Sequence, residues 1–171
     1  MYEFELRARI VNVDLFLEKL SLLGCQLGDA VTQKDLIYTH NHALPILRIR
    51  QENSFNVLTV KTLQKNRNTA IEYEVIFDNY NNMKEIIKQF HFNEPIKLNK
   101  VRRKTVYNEF SITFDLVEKL GYFAEIETLK NDNIDETIVY NAIKKLLFAL
   151  GVEEDHITDK KYYELLIEKR K

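Results

Sequence analysis

Apolar and polar residues alternate along most of the chain, the two-residue period of strands whose faces differ. Across Tyr2 to Ile10, Phe4, Leu6, Ala8 and Ile10 fall on one face and Glu3, Glu5, Arg7 and Arg9 on the other. The same period runs through Leu47 to Arg50, Asn56 to Leu63, Ala70 to Phe77, Lys100 to Tyr107, Phe110 to Leu116 and Tyr122 to Leu129. A shorter candidate covers Lys34 to Thr39. About eight strands with mostly short connections predict an antiparallel sheet that closes, or nearly closes, into a barrel.

Helical spacing interrupts the alternation in four places. Val13 to Leu23 stops at Gly24, and Met83, Ile86, Ile87 and Phe90 form an amphipathic stripe. Asp135 reads as a cap for Glu136 to Leu150, with Gly151 beyond. Thr158 or Asp159 reads as the cap of a last helix through Tyr162, Tyr163, Leu165 and Leu166. The expected class is α+β: an eight-stranded antiparallel β-barrel, or tunnel, with helices packed outside, in a single domain over residues 1–171.

Composition narrows the functions. Ten Phe and nine Tyr in 171 residues supply a core, and four Gly with two Pro leave little for linkers. Twenty-five basic and 26 acidic residues give a net charge of -1, which argues against broad nucleic-acid binding. No run of about 18 apolar residues suggests a membrane span. The start, Met1-Tyr2-Glu3-Phe4-Glu5, lacks a signal pattern, so a cytoplasmic location is expected. Cys25 has no partner for an internal disulfide and reads as a small core residue. His40 and His42 share an alternating spacing, yet Asn41 and Pro45 make a loop the simpler expectation. Tyr38 is a candidate for the barrel interior.

The charges on the strands carry the most information. Residues i and i+2 share one strand face, about 7 Å apart. Five such pairs have one sign: Glu3 with Glu5, Arg48 with Arg50, Glu72 with Glu74, Arg102 with Lys104, and Glu125 with Glu127. Lys61 and Asp115 extend the set. A merely solvated face favours mixed signs, because like charges repel and unlike ones pair across strands. Facing into a barrel, bare clusters would each cost several kcal/mol. Paired carboxylates suit divalent cations, and Arg and Lys pairs suit phosphate oxygens. Both together point to a metal-bound polyphosphate.

The same residues resemble the CYTH superfamily, the triphosphate tunnel metalloenzymes, which includes class IV adenylyl cyclases and thiamine triphosphatase. Glu3-Phe4-Glu5-Leu6-Arg7 resembles the family's Glu-x-Glu-x-Lys hallmark. Further similar segments follow in order: 33–38, Leu47-Arg48-Ile49-Arg50, Leu58 to Lys61, Glu72-Tyr73-Glu74, and Arg102-Arg103-Lys104 with Tyr107. The run from Asp115 to Glu127 is the most specific, and Tyr162-Tyr163-Glu164-Leu165-Leu166 fits as well.

The resemblance implies a tunnel holding a triphosphate and Mg²⁺ or Mn²⁺. On that analogy Glu3, Glu5, Glu125 and Glu127 would be metal ligands or their supports, and Asp115 would complete the metal shell or orient the basic residues. Arg7, Arg48, Arg50, Lys61, Arg102 and Lys104 would hold the phosphates, Glu72 and Glu74 would support them, and Arg7, Lys61 and Glu5 are the catalytic candidates. Two departures stand out. Arg7 replaces the hallmark lysine and will not readily act as a neutral base. Arg102 then Lys104 reverses the usual Lys-then-Arg order.

The leading functional expectation is a class IV-type adenylyl cyclase making cyclic AMP and pyrophosphate from ATP. The alternative is a triphosphatase acting on tripolyphosphate, a nucleoside triphosphate or thiamine triphosphate. A non-catalytic sensor of an anionic ligand is a third reading, and the acidic pairs argue against it. The resemblance is also compatible with a homodimer.

Overall fold

Alternation in the first strand sets the architecture. In a computed structural model describing residues 2–40, 43–63, 69–131 and 134–169, strand β1 (Tyr2–Arg9) turns Phe4, Leu6 and Ala8 outward into a core. Helices α1 (Val13–Leu22) and α3 (Glu136–Ala149) supply the facing residues Phe16, Leu20, Val139, Ile143, Leu146 and Leu147. The opposite face of β1 carries Glu3, Glu5 and Arg7 into the interior. The usual barrel is reversed: the apolar face is outside under helices, and the charged face lines the inside.

The remaining long strands are β2 (Val31–His40), β3 (Ala43–Glu52), β4 (Phe55–Leu63), β5 (Thr69–Phe77), β6 (Ile96–Tyr107), β7 (Phe110–Val117) and β8 (Gly121–Lys130). All pair antiparallel in the order β5-β4-β3-β2-β6-β7-β8-β1. The sheet curls until β1 meets β5 again, at Glu3 opposite Ala70 and Phe4 opposite Thr69. A two-residue strand, β9 (Ile157–Thr158), adds to β1 at Arg7 and Ala8. Among the described residues no helix is long and apolar enough to cross a membrane.

All eight expected strands are present, and most extend beyond the purely alternating segment. β2 runs to His40 and β3 begins at Ala43, so His40 ends a strand; His42 lies outside the described residues. Asn12 and Asp135 accept hydrogen bonds from Leu15 N and Thr137 N, capping α1 and α3. Helix α2 (Tyr80–Lys88) is capped by Asn79 and buries Ile87, whereas Ile86 and Phe90 remain exposed. The last helix, α4 (Tyr162–Glu168), starts later than expected. Thr158 and Asp159 do not cap it; Glu164 instead accepts from Lys161 N across its first turn. Tyr38 is a second correction. It packs outside the tunnel with Ile49, Ile87 and Phe92, because its parity is opposite to that of Asp35 and Ile37. Cys25 is half-buried at the edge of the main core.

Candidate active site

Strand parity brings the like-charged pairs into one cavity of about 320 Å³. Glu3, Glu5 and Arg7 come from β1, Arg48 and Arg50 from β3, and Thr59 and Lys61 from β4. Glu72 and Glu74 of β5, Arg102 and Lys104 of β6, and Glu125 and Glu127 of β8 complete the ring. Asp115 of β7 is fully buried behind this lining.

Forked ion pairs hold the cations in place. Arg102 donates through Nε and Nη2 to the two oxygens of Asp115, at 2.7 and 2.5 Å. Tyr162 OH donates to Asp115 Oδ2 at 3.0 Å, and Lys100 Nζ lies 3.8 Å from the same oxygen. Arg50 grips Asp35 with two bonds of 2.8 Å. Arg7 Nε donates to Glu125 Oε2 at 2.7 Å, while its Nη1 reaches Lys160 O at 3.2 Å. Planar guanidinium forks suit such two-point contacts.

The carboxylates divide into two kinds. Burial alone would raise the Glu125 carboxyl, but Arg7 and Arg102 more than offset it and hold it well below the usual range. Glu72 is likewise desolvated, yet Lys61 and Arg48 keep it low. Glu3 goes the other way: burial raises it, and Lys61 does not fully compensate for burial and the nearby Glu72 and Glu127. Carboxylate oxygens of Glu3, Glu5 and Glu127 lie within 4.8 Å of one another. Lys61 Nζ approaches this group, 3.2 Å from Glu3 Oε2 and 2.6 Å from Glu72 Oε1. Lys161 Nζ contacts Glu5. A crowded carboxylate group with a raised member is suited to a divalent cation, so the donor set fits one.

The cations leave capacity for an anion. Arg48 Nε and Thr113 Oγ1 are buried donors with no hydrogen-bond partner among the described residues. Arg48 Nη2 is shared between Thr59 Oγ1 at 3.0 Å and Glu74 Oε1 at 3.3 Å, which leaves Nε as a free donor. Among the described residues Lys104 makes no ion pair. Phosphate oxygens would satisfy such donors.

The cavity also contains residues to which the sequence assigned no site role. Lys100 shares the face of Arg102, two residues earlier, and strand parity alone could have located it. Its burial, reinforced by Arg102, pulls its ammonium well below the usual range. Asp35 is a lone acid rather than one of a pair, so like-charge spacing did not reveal it. Lys161 and Tyr162 arrive from α4, a placement no local pattern encodes; burial brings Lys161 down to about 8.

A CYTH domain model matches residues 1–160. The chain belongs to the CYTH family. One curated relative, from Methanocaldococcus jannaschii and named "Putative adenylate cyclase MJ0240", is 28% identical over 96% of this chain and 98% of its own. The solved structure of the PH1819 protein from Pyrococcus horikoshii OT3 shares 29% identity and a TM-score of 0.81, covering 98% of this chain and 99% of its own. A Hippeastrum protein, described as a putative adenylyl cyclase with a dominant triphosphatase activity, shares the fold at TM-score 0.63 and 14% identity. Coverage there is 98% of this chain and 95% of that one.

Proposed function

We propose that this CYTH protein binds a metal–triphosphate in its tunnel and acts as a class IV-type adenylyl cyclase, converting ATP to cyclic AMP and pyrophosphate. The observation that carries the reading is the enclosure of a carboxylate group and unsatisfied cationic donors in one cavity. Glu3, Glu5 and Glu127 would hold Mg²⁺ or Mn²⁺, with Glu125 beside them. The bound ion supplies Lewis acidity and neutralises charge on the phosphates.

The chain's own residues do the positioning. Arg48, Arg50, Lys61, Arg102 and Lys104 bind the phosphate oxygens and stabilise charge as the ribose 3′-hydroxyl gives up its proton to solvent, its oxygen bonds to the α-phosphorus and the bond to pyrophosphate breaks. Arg7 stays charged, and its contacts on Glu125 and Lys160 O make it an organiser of the site rather than a base. Asp115 and Asp35 fix the planes of Arg102 and Arg50. Of the two roles the resemblance leaves open for Asp115, metal binding and orientation of the basic residues, the second is the better reading, since Arg102 and Tyr162 already use both of its oxygens.

A triphosphatase would use the same tunnel, with water attacking the terminal phosphorus, and the fold shared with the Hippeastrum protein keeps that reading in view. Phosphorus NMR of products from ATP and from tripolyphosphate, each with Mg²⁺ and with Mn²⁺, separates the two. Cyclic AMP with pyrophosphate supports the cyclase. Orthophosphate without cyclic AMP replaces it with the hydrolase.

A further inference from the structure

Inward-facing positions change character along the tunnel in the same way on three strands. On β6 they run Val106, Lys104, Arg102, Lys100 and Leu98, and exposure falls from 67% at Val106 to 4% at Leu98. On β8 they run Leu129, Glu127, Glu125 and Phe123, from 60% exposed to 1%. On β5, Ile76 is 67% exposed, with Glu74 and Glu72 following inward. Each strand therefore reads apolar at an open end and charged within.

The deep end is apolar as well, and it is sealed. Ile37, Ile46, Leu98, Val117 and Phe123 pack there with Tyr162, Tyr163 and Leu166 of α4. A tunnel blocked on one side admits its ligand from the other only. Large aliphatic side chains left facing water at the entrance of a charged cavity call for an apolar partner. Inorganic tripolyphosphate offers none.

Resting on the metal–triphosphate reading, we propose that the substrate enters tail first, terminal phosphate toward α4, and that Ile76, Val106 and Leu129 at the mouth carry its organic group, the nucleoside of a nucleoside triphosphate. Glu3 stands opposite Leu129 in the β1–β8 pairing, and Glu127 lies two residues before it. The phosphate attached to the nucleoside therefore meets the carboxylate group first, while the tail phosphates extend toward Arg102, Arg50 and Lys100. This direction places the α-phosphorus, rather than the terminal one, beside the acids. It makes the three rim residues determinants of specificity for an organic triphosphate over an inorganic one.

The test is calorimetric binding of ATP and of tripolyphosphate, both with Mn²⁺, to the wild type and to a variant combining Ile76→Ser, Val106→Ser and Leu129→Ser. Leu129→Ser alone serves as the second variant should the triple one lose its fold. Loss of apolar contact at three positions should weaken ATP about tenfold or more, with tripolyphosphate unchanged. The single replacement should show a smaller loss in the same direction. Equal losses for both ligands, or no loss for ATP, would overturn the assignment of the rim while leaving the tunnel reading intact. A wild type that binds neither ligand would overturn both.

Discussion

Arg7 Nε donates to Glu125 Oε2 at 2.7 Å, and Arg7 Nη2 reaches the same oxygen at 2.6 Å, with both side chains almost fully enclosed. The position where the family hallmark carries lysine thus holds a permanently charged fork committed to a buried carboxylate. Arg7 also lies over the Tyr162 ring, 4.9 Å from its centroid, and so links the tunnel wall to the helix that seals it.

Removing that fork should destabilise the protein. Arg7→Ala leaves Glu125 buried with Arg102 at 3.6 Å as its remaining close cation. The expected cost is about 3 kcal/mol, the lower end for breaking a buried pair. Urea unfolding at neutral pH measures it, and an unchanged midpoint would mean that Glu125 does not depend on Arg7.

Asp115 separates two roles by binding alone. As a positioning residue, Asp115→Asn should weaken ATP binding about tenfold by releasing Arg102, while Mn²⁺ affinity without nucleotide stays at the wild-type level. A large loss of Mn²⁺ affinity would restore Asp115 to the metal ligands. Tyr162→Phe, which removes the hydroxyl donor to Asp115, should cost about 1 kcal/mol of stability and little metal affinity.

Asp35 gives a pH dependence of defined sign. Burial would raise its carboxyl, but the Arg50 fork overcomes this and holds it below 3.8, its ordinary value. A depressed carboxyl stabilises the fold fully above its unfolded value and loses that contribution as pH falls through the folded one. The stability gap between the wild type and Asp35→Asn should therefore be constant from pH 7 to about 5 and shrink below about pH 4. Unfolding curves at pH 7, 5 and 3.5 read it; a gap that persists at low pH would show that the Asp35–Arg50 pair is not what stabilises this wall.

Strand periodicity made the tunnel lining legible, because parity is local: Glu3 and Glu5, or Glu125 and Glu127, must share a face wherever their strand goes. Closure was legible only as an expectation, since the meeting of Glu3 with Ala70 depends on accumulated tilt around eight strands. The sealing of one end was not legible at all. Lys161 and Tyr162 come into contact with Glu5 and Asp115 across 156 and 47 residues of sequence, and no spacing rule reports such contacts. Tyr38 shows the converse: the parity of β2 was legible in the sequence, and it places this ring outside the tunnel, against Ile49 and Ile87.

The central claim is that the carboxylates and cations of the tunnel act together on one ligand. Equilibrium binding of ATP, with and without Mn²⁺, to the wild type and to a Glu3→Gln, Glu127→Gln variant tests it most directly. The wild type should bind ATP far more tightly when Mn²⁺ is present, and the variant should lose that Mn²⁺-dependent gain while remaining folded. Equal Mn²⁺ dependence in both proteins would contradict the account.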